Sequence, residues 1–587
     1  MTSPDSPEAD DASPLVWNED GLPRSKLYGD VYFSSADGLA ETRAVFLTGC
    51  GLPEAFAGRD HFVVGELGFG TGLNIAALLD LWRREAPATA RLHVFSIEAH
   101  PISRDDAARA LAVWPELGEA ATALLDVWPG QARGFHRVDL PAFNATLDLA
   151  IMDVAEALKA WDGAADAWFL DGFSPALNPA MWSEEILAAV AARSAPGAKA
   201  ATFTVAGFVR RGLQAAGFEI AKRPGFGRKK DRLEAWLPSE RTSPQRPKRL
   251  AIIGGGIAAA SLARAARAQG LAVTVVDDGE APASGNPAAL VTPALDAGGG
   301  PRAAFPAQAF ARAVDLYEIL PEAIIARGVL QLAGDDTAAA RFAAVARQDL
   351  FEPGAMTLLP QAGDRLGEPA GAALDMTKAL VVEPAVVVVA WRGEAITADV
   401  QALERTDAGW RLLGADGAEI AQADAVVVAA GARLDALLPD IRWRPVRGQA
   451  SWATLAGPPP TPAAFGGYAV PTRDGVLFGA THDRGDRAVE TRPDDHRRNL
   501  ETLAKGRPVL AERLSDAPLS GRAAVRATTA DHLPLAGAVG ENLFVLGGLG
   551  GRGFCMAPLL AEHVVAVVLG IPSPLPRPLS RLILPAR

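Results

Sequence analysis

Two glycine-rich turns, each set between an apolar β-type run and a helix-type run, stand on either side of a proline-rich stretch, and they limit the fold of this chain more than any other feature. The first is Glu66-Leu67-Gly68-Phe69-Gly70-Thr71-Gly72 and the second is Ile253-Gly254-Gly255-Gly256-Ile257-Ala258-Ala259. Between them residues 238–249 read PSERTSPQRPKR, with three prolines and no apolar periodicity. That is the composition of a linker. A strand, glycine turn and helix repeated with different glycine spacing implies two nucleotide-type domains in tandem, expected at 1–240 and 250–587 with a linker over 241–249. A chain of 587 residues has room for both.

The patterns around each turn extend this reading. Before the linker, strand-like runs at 61–67, 92–97, 147–152, 167–170 and 200–205 alternate with helical spacing at 73–84, 184–193 and 208–216, which implies an α/β sheet covered on both faces. After it, residues 249–253, 257–269 and 272–276 form a βαβ unit. Runs at 381–389 and 410–413 read as strands of a separate substrate-facing sheet, and 425–431 as a strand returning to the nucleotide fold.

Composition excludes several classes. The chain is 49% apolar and 21% charged, as a folded protein with large cores should be. Its longest apolar run, 380–391, is interrupted by Glu383 and Pro384 and falls short of the roughly 20 residues that span a bilayer. Residues 1–11 carry acids and prolines where a secretory signal needs a basic start and an apolar stretch, so a cytoplasmic protein without membrane contact is expected. Cys50 and Cys555 form no C-x-x-C pair, and the eight histidines show no ligand spacing, so no metal is expected. The net charge is −12, and residues 1–245 hold 33 acidic against 23 basic side chains, or −10 of it. Any nucleic-acid contact therefore has to be a local patch.

The first turn lacks the Lys-Ser/Thr of a P-loop. An E-x-G-x-G-x-G loop suits S-adenosylmethionine better than a dinucleotide, because Glu66 can bind a cationic amino-acid tail where it would repel a pyrophosphate. Gly68, Gly70 and Gly72 let the backbone approach the ligand, and Glu98 at the next strand tip can accept from ribose hydroxyls. Asp153, after the following strand, is a candidate for the adenine amino group. Phe169-Leu170-Asp171-Gly172-Phe173-Ser174-Pro175 puts Asp171 at a strand's carboxyl end, where ligands bind in open α/β sheets. Asp171 is the candidate to orient or deprotonate an attacking amine; an Asx turn or helix cap is the plainer alternative.

Asp30-Val31-Tyr32-Phe33-Ser34, Gly38-Leu39-Ala40-Glu41-Thr42-Arg43, the Asp171 motif continuing through Asn178-Pro179-Ala180-Met181-Trp182, and Gly225-Phe226-Gly227-Arg228-Lys229-Lys230 are distinctive. With these, residues 17–237 resemble the methyltransferase half of the bacterial bifunctional tRNA 5-methylaminomethyl-2-thiouridine biosynthesis family.

In the second turn, Gly254, Gly256 and Ala259 fit G-x-G-x-x-G/A, and Asp277 ends the next strand as a ribose-binding acid should. NAD and FAD share this fingerprint. Asp531-His532-Leu533-Pro534-Leu535-Ala536-Gly537 and the run from Leu543 through Gly547-Gly548-Leu549-Gly550-Gly551-Arg552-Gly553-Phe554 resemble the closing segment of FAD-dependent amine oxidases of the D-amino-acid oxidase and glycine oxidase type. That resemblance implies FAD, with Gly548 and Gly551 returning to the flavin. It implies substrate-carboxylate roles for Arg526 and Arg552; a solvated or ion-paired arginine is the alternative for each. Ala283-Ser284-Gly285-Asn286-Pro287 matches the oxidoreductase half of the same bifunctional family, placing Ser284 near the flavin, although Ala289, Val291 and Thr292 stand where that family usually has glycine, leucine and tyrosine.

The resemblance implies a Rossmann-like S-adenosylmethionine methyltransferase followed by an FAD-binding Rossmann domain with an inserted antiparallel β-rich substrate domain. The second half would remove the carboxymethyl group from 5-carboxymethylaminomethyluridine at the tRNA wobble position, and the first would methylate the amine left behind. Lys222, Arg223, Arg228, Lys229 and Lys230 are candidates to hold the tRNA anticodon loop, against the alternative of a solvated charged loop. Arg442, Trp443, Arg444 and Arg447 form a second candidate patch. A monomer is favoured. A fused amine oxidase and amine methyltransferase acting on free small molecules is the competing function.

Overall fold

Around the first glycine turn the chain builds an eight-stranded sheet whose centre is the strand His61–Leu67. The computed structural model describes residues 13–35, 37–227, 229–239 and 245–587. It divides into two units, Met1–Pro244 and Gln245–Arg587.

In the first unit, His61–Leu67 runs parallel to Arg91–Glu98 on one side and to Ala165–Leu170 on the other. Ala145–Ile151 extends the parallel sheet on the first side and Ser194–Thr202 on the second, with antiparallel strands closing both edges. Helices cover both faces, so the central strands are buried almost throughout. Gly65 has no side chain because the Trp168 ring of the neighbouring strand lies 2.4 Å from where its Cβ would be. Chain order reverses between His61–Leu67 and Ala165–Leu170. That is the switch point where such sheets bind ligands, at the carboxyl ends of the strands.

The second unit has a six-stranded sheet in which Arg249–Ile253 lies between Ala272–Asp277 and Ala425–Val428, all parallel. Helices Ile257–Ala268 and Gly553–Leu569 pack on it through a core that includes Leu262, Leu560 and Val564. A ten-stranded, mainly antiparallel sheet is inserted, running from Ala289–Val291 through Ala373–Val382 to Arg444–Thr454 and Ser520–Thr528.

Residues 381–389 depart from the expected strand. The strand Ala373–Val382 stops at Glu383, and Pro384–Arg392 is a helix with proline in its first turn. Proline supplies no ladder donor but has the φ a helix start needs. The burial of Val387 and Trp391 then overrides the strand preference of four consecutive valines. Residues 410–413 are a strand, but of a separate three-stranded meander with Ala402–Thr406 and Glu419–Ala423 rather than of the substrate sheet. Of the expected linker, 241–244 lie outside the described residues. The Arg246 Nε donates to the Leu569 carbonyl at 2.9 Å, and Lys248 and Arg249 bind Asp424, so its tail is part of the second unit.

Two candidate active sites

In the first unit Gly68 and Gly72 take φ of +86° and +76°, and a Cβ on Gly68 would meet the Gly172 backbone at 3.2 Å. The turn can therefore pass close under the Asp171 loop only as glycine. Glu98 reaches back to it: its Oε2 accepts from the Gly70 N–H and its Oε1 from the His100 N–H, both at 2.9 Å. Gly70 is covered by Tyr32, whose ring lies 3.2 Å from a Cβ position there. The Tyr28 and Tyr32 rings both pack on Phe173, with centroids 5.0 and 5.3 Å apart, and the Ser174 N–H donates to Asp30 at 2.9 Å. An amino-terminal strap thus forms an aromatic wall over the glycine turn. Asp153 is exposed and its Oδ1 caps the helix Val154–Ala160.

Glu66 is wholly buried, with Oε2 accepting from Ser96 at 2.6 Å and Oε1 from the Asn74 amide at 3.1 Å. The same Asn74 nitrogen donates to Asp171 Oδ2 at 2.8 Å, and Asp171 Oδ1 accepts from the Gly172 N–H at 2.8 Å. Burial pushes the Asp171 carboxyl up to about 6 against the lowering effect of these two donors; Glu41 adds to the rise and Lys229 opposes it. Burial pushes Glu66 further, to about 8, with Asp171 and Glu98 adding to it. Nothing in the sequence patterns had singled out Asn74. The available signal was a polar residue in the first turn of an otherwise apolar helix directly after the glycines.

The basic segment is spread over several tasks. Lys229 places its ammonium 2.9 Å from Glu41 and 3.9 Å from the centre of the Phe203 ring, close enough to affect Asp171. On the edge hairpin Glu219–Pro224 and Asp231–Trp236, Lys222 sits 4.0 Å from Asp231 and Arg223 sits 3.2 Å from Glu234. These largely exposed pairs are worth little. Lys230 is exposed, and Arg228 lies outside the described residues.

In the second unit a cavity of about 1200 Å³ opens along the second glycine turn. A Cβ on Gly254 would come within 2.5 Å of the Ala429 carbonyl, and one on Gly255 within 2.1 Å of the Asp277 carboxylate. Ser284 Oγ accepts from the first helical N–H, that of Ile257, at 3.2 Å, which marks the helix terminus suited to a pyrophosphate. Gly256 faces the same hydroxyl, and Ala259 is fully buried where the helix meets the sheet. Asp277 accepts from Arg392 at 2.7 Å. Gly548 and Gly551 line the same cavity.

Alternation along Ser520–Thr528 puts Arg522, Ala524, Arg526 and Thr528 on one face. Arg522 donates to the Ala281 carbonyl at 3.0 Å and also to that of Pro282, holding the Ser284 loop in place. Arg526 crosses Gly448 of the paired strand and donates to the Thr481 carbonyl at 3.3 Å. Tyr468 and His482 line the cavity beside it, and burial followed by the Arg526 charge pushes the His482 imidazole down. Arg552 directs Nη1 to the Thr292 and Pro293 carbonyls at 3.1 and 2.9 Å. That end of the guanidinium holds the loop following the strand Ala289–Val291.

Arg447 does not join a surface patch. It is completely buried and paired with Asp495 at 2.6 Å, because it occupies the face of Arg444–Thr454 turned to the helix Pro493–Gly506. Gly448 is on the opposite face, and a Cβ there would stand 2.1 to 2.3 Å from the Arg526 guanidinium. Gly448→Ala is expected to preserve the fold, since the obstructed atoms end a flexible side chain, yet to misplace the clamp. Steady-state oxidation should fall about a hundredfold, a loss of the size about 1 Å of misplacement produces. The flavin content should remain that of the wild type.

These two sites define the class: a Rossmann-type methyltransferase joined to a flavin-dependent oxidoreductase. Residues 115–238 match the family model described as an S-adenosyl-L-methionine-dependent methyltransferase, and residues 249–567 match that of the FAD dependent oxidoreductases. The tRNA 5-methylaminomethyl-2-thiouridine biosynthesis bifunctional protein of Caulobacter sp. (strain K31) is 71% identical over 586 residues, covering 98% of each chain. Those of Caulobacter vibrioides and Maricaulis maris are 68% and 43% identical, covering 97% and 95% of this chain and 97% and 93% of theirs. The chain belongs to this bifunctional family. Among the described residues, no helix is long and apolar enough to cross a membrane and no group of acidic, histidine or cysteine side chains is arranged to hold a metal.

Proposed function

We propose that the chain completes a tRNA wobble uridine in two steps, oxidation in the second unit and then methylation in the first. Arg526 carries this reading: it is an arginine fork on the wall of the flavin-type cavity, placed to hold the carboxylate of a carboxymethylamino side chain. When bound, FAD supplies a two-electron acceptor and S-adenosylmethionine an electrophilic methyl group. Gly254, Gly256, Ala259, Asp277, Ser284, Gly548 and Gly551 would hold the first. Gly68, Gly70, Gly72, Glu98 and Asp153 would hold the second, with Glu66 acting from beneath the turn.

Arg526 fixes the substrate carboxylate, and the loop anchored by Arg552 closes that end of the cavity. Loss of two electrons and two protons from the C–N unit leaves an imine, which water splits into the aminomethyl nucleoside and glyoxylate. In the first unit Asp171 takes a proton from the ammonium so that the nitrogen has a lone pair to offer. Both reactions need a base displayed by a single-stranded loop, so the tRNA partner presents its anticodon loop, and Lys222, Arg223 and Lys230 meet its phosphates. The protein works in the cytoplasm as a monomer.

Mass spectrometry of wobble nucleosides tests this reading. Cells lacking the protein should accumulate carboxymethylaminomethyl derivatives, and restoring the gene should yield methylaminomethyl. An unchanged nucleoside profile would reject it in favour of small-molecule substrates. Replacing Lys222, Arg223 and Lys230 together by alanine should flatten the slope of log affinity for tRNA against log salt by about 2, from roughly 0.7 per lost phosphate contact.

A further inference from the structure

One buried polar group in the first unit, Asn74, links three others and has no chemical step of its own in methyl transfer. Asn74 is buried in the first turn of the helix Leu73–Glu85, and both N–H groups and the carbonyl oxygen of its amide are hydrogen-bonded. Its Oδ1 accepts from the Thr42 hydroxyl at 2.8 Å, and its Nδ2 donates to Asp171 at 2.8 Å and to Glu66 at 3.1 Å. The opposite amide orientation would press the carbonyl oxygen against the ionised Asp171 carboxylate, so that contact favours the amide nitrogen facing Asp171.

We infer that Asn74 is the positioning residue of the methyl-transfer site, an uncharged bridge that holds the Asp171 carboxylate in place while leaving it basic enough to accept the substrate's proton. This inference rests on the reading of Asp171 as the group that takes that proton. The residue type is what makes it work. A lysine at this point would pair with both carboxyls and make Asp171 a poor base. An aliphatic side chain would leave two buried carboxyls without their donor. An amide supplies two N–H groups and no charge.

The surrounding charges agree with this role. Glu66, at one end of the bridge, has Ser96 as its other partner and feels the Glu98 charge, while Asp171, at the other, feels Glu41 and Lys229. Deprotonating an alkylammonium group, ordinarily near about 10, is hard for an ordinary aspartate near about 4. Asp171, held near about 6, narrows that gap. The proton leaves the substrate nitrogen and arrives on an Asp171 oxygen, and the N–H electron pair stays on nitrogen.

The test uses the full-length protein carrying Asn74→Ala or Thr42→Val, assayed for methyl transfer to aminomethyl-tRNA from pH 5 to 8. N–H donors favour the ionised carboxylate, so removing one raises the Asp171 pKa. The acid limb of kcat should then move about one unit alkaline with Asn74→Ala, with a smaller shift of the same sign for Thr42→Val. At neutral pH kcat should fall about 30-fold for Asn74→Ala while KM for the RNA changes little. Infrared difference spectra should show the Asp171 carboxyl, identified with Asp171→Asn, titrating at the displaced pH. Oxidation of carboxymethylaminomethyl-tRNA by the same preparation reports an intact chain. An unmoved acid limb in both variants, or an effect confined to weaker S-adenosylhomocysteine binding, would overturn the inference. Full methylation by Asp171→Ala would instead overturn the reading on which it rests.

Discussion

Arg526→Ala is expected to lower kcat/KM for oxidation of carboxymethylaminomethyl-tRNA by about a thousandfold while leaving methylation of aminomethyl-tRNA at the wild-type rate. The guanidinium stands beside Tyr468 and His482 in the cavity wall, and the neighbouring cation Arg522 is already committed to the Ala281 and Pro282 carbonyls. Removing the fork costs a charge-assisted, bidentate contact and the orientation it enforces, about 4 kcal/mol together. Arg526→Lys keeps the charge but not the planar fork, and should recover only part of the loss. Liquid chromatography of digested tRNA from complemented cells would then show the carboxymethylaminomethyl nucleoside persisting. The flavin should still bind, because the glycine turns and Asp277 lie on other strands.

Asp171→Ala should produce the complementary picture, with oxidation intact and aminomethyluridine accumulating. General-base assistance is worth about a hundred- to ten-thousandfold, and Asp171 belongs to the loop whose backbone lies against Gly68 of the glycine turn at the switch point. Asp171→Asn is the sharper variant, because it keeps the volume while removing the base; methyl transfer should fall by nearly as much as with alanine. The pH profile adds a check of sign. Asp171 must be ionised to accept a proton, and burial holds it near about 6, so the wild-type rate should decline as pH drops through that value. A rate independent of pH across this range would remove Asp171 from the proton transfer.

The parts of both sites that depend on local backbone chemistry were legible in the sequence. A glycine turn between a strand and a helix needs nothing remote to be recognised, and an acid at the next strand tip lies a fixed distance along the chain. The parts that depend on distant segments were not legible. Asn74 gains its meaning from Thr42, Glu66 and Asp171, which only the packing of helices on the sheet brings together. Arg447 and Gly448 are neighbours in sequence, yet one faces a helix and the other the Arg526 guanidinium, and only strand pairing decides which. Lys229 reads as one charge in a basic run until Glu41 and Phe203 fold against it. The segment 381–389 failed for a different reason: the preference of valine for strands is weak beside a proline that starts a helix and a tryptophan that needs burial.

On the proposed reading, oxidation of the side chain precedes its methylation, with one site in each unit. The most direct test of that order gives the purified, flavin-loaded protein labelled S-adenosylmethionine and tRNA bearing carboxymethylaminomethyluridine, with flavin turnover either permitted or blocked by prior reduction under anaerobic conditions. Label should enter this RNA only when the flavin turns over, whereas tRNA already carrying aminomethyluridine should be labelled equally in both conditions. Labelling of the carboxymethylaminomethyl substrate while the flavin stays reduced would contradict it.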